Sequence, residues 1–115
     1  MLSVKFYMEN FGFKETFRNV KTGIPDHVEL KLNLFSIAIS SITAAKEVHN
    51  LEVGTGLPKG EMVIWTENVD EEYRNLLKNN VKGVQEPHTF RGNLRNARVN
   101  DPDDNLILLV SKLTN

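Results

Sequence analysis

The alternation of apolar and polar positions divides the chain into short elements. Residues 3–11 fit an amphipathic helix, with Val4, Tyr7, Met8 and Phe11 on one face at helical spacing. Ser3 is placed to cap it and Gly12 to end it, since glycine tolerates the left-handed geometry after a helix. Phe13 to Val20 reads as a strand, and Thr22-Gly23-Ile24-Pro25 as turn material. Val28, Leu30 and Leu32 then alternate with His27, Glu29 and Lys31, the pattern of a strand with one wet face. Phe35, Ile37 and Ile39 alternate with Ser36, Ala38 and Ser40 in the same way, after a tight connection near Asn33.

Residues 41–60 carry no clean period, and Gly54, Gly56, Pro58 and Gly60 mark the later part as a loop. Glu61 to Thr66 is apolar on both faces, which predicts a central strand. A second helix follows, with Asn68 and Glu71 in capping-box spacing and Asp70, Glu71 and Glu72 at the positive end of the dipole. Val69, Tyr73, Leu76 and Leu77 form its apolar stripe, Lys78 lies in its last turn, and Asn79-Asn80 are placed to stop it. Val81 to Glu86 reads as a strand. Leu94 to Val99 and Asn105 to Val110 read as a hairpin around Asp101-Pro102-Asp103-Asp104. The second half is thus a βαβββ unit, and the first is the same unit without its opening strand. A loose internal duplication accounts for the pattern.

The composition narrows the functional classes. A chain of 115 residues with 40% hydrophobic and 25% charged residues suits one ordinary folded domain, here expected over 1–115. A net charge of -1 provides no basic stripe for nucleic acid. The absence of cysteine removes disulfides and thiolate metal sites and fits a reducing compartment. No apolar run approaches the roughly 20 residues that span a bilayer, and MLSVKFYMEN lacks the pattern of a signal peptide. A cytoplasmic protein with no membrane partner is expected.

Several local motifs carry a family resemblance. Ser3-Val4-Lys5-Phe6-Tyr7 followed by Phe11-Gly12-Phe13 looks like an "S-V-x-F-Y … L-G-F" opening helix. Val63 to Asp70 looks like a hydrophobic strand leading through "D-x-V-D" into a helix, and Asp101-Pro102-Asp103-Asp104-Asn105 looks like a "D-P-D-G-N" hairpin. In this order and spacing, over nearly the whole chain, they resemble the glyoxalase / bleomycin-resistance / dioxygenase proteins, the vicinal oxygen chelate superfamily. Pro87-His88-Thr89-Phe90 with Leu94-Arg95 is similar to an uncharacterised subgroup of it. The resemblance implies an α+β fold of paired βαβββ modules forming a curved, cup-shaped mixed sheet with helices outside. Module one would run over about 1–42, a linker over 43–59, and module two over about 60–115.

Two departures stand out. The family's first strand would precede Ser3, where only two residues stand, so either the start is truncated or mis-assigned or the fold has an open gap there. Asp104 replaces the hairpin glycine, a position where aspartate tolerates left-handed geometry.

In metal-dependent relatives about two histidines and two carboxylates hold a divalent ion in the cup. The first position has no counterpart here. The second falls at or next to Ala38, the third at Glu61 and the fourth at Leu108. Only Glu61 is a donor, and one ligand does not make a site, so no metal and no other cofactor is expected. His27, His49 and His88 are dispersed and read as solvated or hydrogen-bonded residues. No serine-nucleophile, phosphate-loop or dinucleotide motif is present.

Strand parity then suggests what lines the cup. With Leu108 facing in, a four-residue hairpin loop brings Arg95, Ala97 and Val99 to the same face, and Glu61 brings Val63 and Trp65. His27, Glu29, Lys31, Ser36, Ala38 and Ser40 form the wet face of the first module. The candidate ligand-binding residues are therefore Glu61, Trp65, Arg95, Glu29 and His27. Trp65 is a ligand platform or a core or interface residue. Arg95 is a clamp for an anionic ligand or the ion partner of Glu61 or Glu29. Arg91 and Arg98 default to solvated surface. The resemblance implies a metal-free small-molecule binding protein, with a glyoxalase-like lyase, isomerase or dioxygenase as the enzymatic alternative and a structural dimer as a third class. Relatives commonly pair, so a homodimer is expected.

Overall fold

The computed structural model describes residues 2–19, 25–47, 50 and 61–113. The chain divides into two compact units, residues 1–56 and 57–115.

The first unit runs α1 (Leu2–Phe11), β1 (Lys14–Asn19), β2 (His27–Leu32), β3 (Phe35–Ser40) and α2 (Ile42–Glu47). Helix α1 ends as its glycine requires: Gly12 sits at φ 75 and its N–H bonds the Met8 carbonyl. Ser3 lies inside the helix rather than at its cap, and the buried stripe is Val4, Phe6 and Tyr7, while Met8 is exposed. The aromatic rings explain the rotation. Phe6, Tyr7, Phe11 and Phe13 meet edge to face or tilted at centroid distances of 5.1 to 6.4 Å, so aromatic packing sets the buried face.

The three strands form an antiparallel sheet in the order β1-β2-β3. Val28 and Leu30 are fully buried and pair with Ile39 and Ile37, as the alternation predicts. The opposite face carries His27, Glu29 and Lys31 opposite Ser40, Ala38 and Ser36. A bulge at Thr16 shifts the β1 register, after which Phe17 faces Glu29. Among the described residues β3 has no neighbour on its outer side. Part of the span without a clean period is helical: Ser41 Oγ accepts from the Ala44 N–H and caps α2. A six-residue helix is too short to leave a period in the sequence.

The second unit runs β4 (Glu61–Trp65), α3 (Val69–Lys78), β5 (Lys82–Phe90), β6 (Leu94–Asn100) and β7 (Leu106–Lys112), a complete βαβββ unit. Its sheet order is β4-β7-β6-β5, with β4 parallel to β7 and the other pairs antiparallel. The α3 cap forms as predicted, Asn68 Oδ1 accepting from the Glu71 N–H at 3.0 Å. Helix α3 covers one face, where Ala97, Val99, Ile107 and Leu109 are fully buried. Ser111 Oγ on that face accepts from the Val69 N–H, tying the helix start to β7. β5 extends to Phe90, past the expected Glu86, because its register shifts let it stay paired with β6. None of the described helices is long and apolar enough to cross a membrane.

The β6–β7 turn decides which side chains share a face. Asp101 N–H bonds the Asn105 carbonyl, Asp104 N–H bonds the Asp101 carbonyl, and Asp104 sits at φ 63. This is a type I turn closed by a left-handed residue, a hairpin loop of three residues, 102–104. Buried Asp101 holds it, Oδ1 accepting from the N–H groups of Asp103 and Asn105 and Oδ2 from the Asn105 side chain.

Candidate functional site

A loop of three residues instead of four moves the β6 register by one, and a slip of one exchanges the faces of a strand. Leu108 lies opposite Arg98, not Ala97, and Val110 opposite Asn96. The expectation that Arg95, Ala97 and Val99 share a face with Glu61 and Trp65 is therefore corrected. Arg95 lies on the α3 face, where its Nε and Nη2 each donate to Asp70 at 2.9 Å and its Nη1 donates to Thr89 Oγ1. These bonds hold the Asp70 carboxyl below the usual carboxylate range.

On the face away from α3 the register aligns side chains in rows across the strands. One row is Trp65, Val110, Asn96 and His88. The next is Val63, Leu108, Arg98 and Gln85, and a third is Glu61, Leu106, Asn100 and Lys82. Glu61 and Trp65 thus share a face, as expected. Arg98 takes the place foreseen for Arg95: its Nε donates to Glu61 Oε2 at 2.9 Å, its Nη2 to Glu61 Oε1 at 3.2 Å, and its Nη1 to Gln85 Oε1. Trp65 is 60% exposed and Val63 49% exposed. Asn96 is 6% exposed, and its Oδ1 has no hydrogen-bond partner among the described residues. Asn100 Oδ1 is in the same condition. His88 Nδ1 lies 2.9 Å from the Glu86 carbonyl, which can only accept, so Nδ1 donates and the neutral ring offers Nε2 as an acceptor.

Asn96 and Gln85 are residues that the sequence reading passed over, while Arg98 defaulted there to solvated surface and His88 to a solvated or hydrogen-bonded residue. The signal lay in the hairpin: a left-handed Asp104 implies the three-residue loop and hence the parity of β6. His27 and Glu29 lie together in the first unit, Nε2 3.4 Å from Oε2, with Phe17 packed edge-on to the imidazole.

The residues present do not fit the metal site of metal-dependent relatives. Ala38 and Leu108 offer no donor, and both oxygens of Glu61 are engaged by Arg98. Among the described residues no three His, Asp or Glu side chains cluster closely enough to hold an ion.

The sequence pattern of the Glyoxalase/Bleomycin resistance protein/Dioxygenase superfamily matches residues 2–109, and the chain belongs to that superfamily. Solved structures share the fold at low identity. TioX from Micromonospora sp. ML1 is 20% identical with a TM-score of 0.77, covering 96% of this chain and 88% of its own. A glyoxalase-related enzyme from Fulvimarina pelagi is 18% identical with a TM-score of 0.78, covering 96% and 78%. TnmS3, an antibiotic binding protein from Streptomyces sp. CB03234, is 19% identical with a TM-score of 0.68, covering 97% and 85%. Among curated proteins none matches this sequence.

Proposed function

We propose that this protein binds a small organic molecule, without a metal, on the face of the β4-β7-β6-β5 sheet opposite α3. The observation that carries this reading is the pairing on one face of an exposed indole, Trp65, with a buried, unpartnered amide oxygen, Asn96 Oδ1. A mostly apolar surface with a few fixed polar groups is what a small-molecule site requires. The antibiotic binding protein TnmS3 uses the same fold for such a role. The anionic ligand suggested by Arg95 loses its basis. Arg95 serves Asp70 on the other face, and Arg98 is neutralised by Glu61. Binding suits the face better than turnover, because Glu61, its carboxylate base, is held through both oxygens by Arg98.

The test is a thermal-shift survey of uncharged aromatics, carboxylates, amines and sugar phosphates. A ligand that binds only the folded state at about 100 times its Kd stabilises by about 2.7 kcal/mol. Uncharged aromatics are expected to raise Tm, and Trp65→Ala to abolish the rise. No stabilisation by any class, or a rise that survives Trp65→Ala, refutes the reading. One divalent ion per chain in elemental analysis of the purified protein refutes the metal-free part. The same reading holds the protein to be a cytoplasmic homodimer, supported by the open outer edge of β3 among the described residues.

A further inference from the structure

The row Trp65–Val110–Asn96–His88 is more specific than the face as a whole. Trp65 and Asn96 are two strands apart, about 10 Å at ordinary strand spacing. Between them stands Val110, an apolar side chain that is covered to 4% exposure. The far end of the row holds two acceptors side by side: the unpartnered Asn96 Oδ1 and His88 Nε2. Neither can accept from the nearest guanidinium as it stands, since Arg98 is committed to Glu61 and Gln85. The row therefore offers an aromatic surface, a span of about 10 Å and one buried acceptor, Asn96 Oδ1, whose missing partner is a donor. A carboxylate or phosphate would set its own lone pairs against that acceptor and find no uncommitted cation within the row.

We infer that this row binds an uncharged planar aromatic of about two fused rings that carries a hydroxyl or amino group on its rim. The ring lies on Val110 against the Trp65 indole. The rim O–H or N–H donates to Asn96 Oδ1, with His88 Nε2 as the neighbouring acceptor. Exposed Trp65 and the edge-strand residue His88 are the side chains that yield to admit it. A donor supplied to a buried, unpaired acceptor removes a standing cost of the folded state, so the hydrogen bond discriminates more than one made in water. The inference rests on the reading of this face as the ligand site and names the ligand class.

Trp65 is the single tryptophan of the chain, so its indole N–H gives one resonance that reports the site. The full-length, unmodified protein is titrated with 2-naphthol, 2-methoxynaphthalene and 2-naphthoate, following that resonance and the heat of binding. The expected result is that 2-naphthol moves the indole resonance and binds about tenfold more tightly than 2-methoxynaphthalene, with 2-naphthoate weakest. In Asn96→Leu the preference for the naphthol over its methyl ether disappears. Equal affinity for naphthol and ether in the unmodified protein overturns the inference, with no variant needed. So does a preference that survives Asn96→Leu, or tightest binding by the naphthoate. If none of the naphthalenes binds, this inference fails, while the broader proposal is decided separately by the thermal-shift survey.

Discussion

Arg98 on β6 reaches across β7 and grips Glu61 on β4, Nε to Oε2 at 2.9 Å and Nη2 to Oε1 at 3.2 Å. The pair spans the parallel junction of the sheet. It helps to hold β4, which among the described residues lies at the edge of the sheet and not at its centre as the sequence suggested, in register with β7. Both side chains are 28% exposed, so solvent screens the pair only in part.

A double-mutant cycle of Glu61→Gln and Arg98→Ala is expected to give a coupling of about 0.5–1 kcal/mol in denaturant unfolding. Arg95→Ala, on the opposite face, is expected to show no coupling to Glu61→Gln. Coupling of Glu61 to Arg95 instead of Arg98 would restore the four-residue hairpin and reverse every face assignment on β6.

The Asp70–Arg95 pair makes stability depend on pH. The Arg95 hydrogen bonds hold the Asp70 carboxyl below its ordinary value in the folded state. A carboxylate depressed on folding contributes stability that is present above the unfolded pKa and lost as pH falls through the folded pKa. The wild type should therefore lose stability on acidification below the ordinary carboxylate range. Asp70→Asn should show a flatter acid limb, starting from a lower Tm at neutral pH. Thermal unfolding at a series of pH values checks this, and parallel curves for the two proteins would refute it.

The sequence made the second module legible because its signals are local. Asn68 and the acidic first turn cap α3. In the first module the alternation of β2 matches its buried face, Val28 and Leu30, whereas no β3 side chain is fully buried. The binding face was half legible. Glu61 and Trp65 share it, because two residues apart on one strand fixes their relation. Arg95 does not, because the face of β6 depends on whether the hairpin holds three residues or four. That is set by the backbone at Asp104, whose φ of 63 is a property of one residue and not of any pattern. Helix α2 was not legible, because with six helical residues behind Ser41 no period could form.

Gly83 on β5 faces α3, and a Cβ there would overlap the Tyr73 hydroxyl oxygen and lie 3.3 Å from Leu77 Cδ1. Gly83→Ala is expected to cost about 1–3 kcal/mol, the usual range for overpacking. Adding Tyr73→Phe removes the offending oxygen and should recover part of the loss. Denaturant midpoints of the two single variants and the double variant check it. An additive double variant would show that Tyr73 simply swings aside.

Among the described residues β3 and β7 are each the last strand of their unit, and their neighbours differ. β7 is paired on both sides, by β6 and by parallel β4, whereas β3 is paired by β2 alone among the described residues. Phe35–Ser40 contains no charge and no proline, the devices that normally protect an open strand edge. Phe35 at 51% and the adjacent Leu34 at 96% exposure add apolar surface beside that edge. An edge of this kind invites pairing with a second copy, and a symmetric dimer is the commonest way for a soluble chain to close such a contact. Sedimentation at micromolar concentration should thus give twice the chain mass of 13.1 kDa. Ala38→Lys, which places a charge on β3, should shift the equilibrium toward the monomer. A single species at 13.1 kDa with no concentration dependence would remove the dimer. A dimer indifferent to Ala38→Lys would keep the assembly and move its interface away from β3.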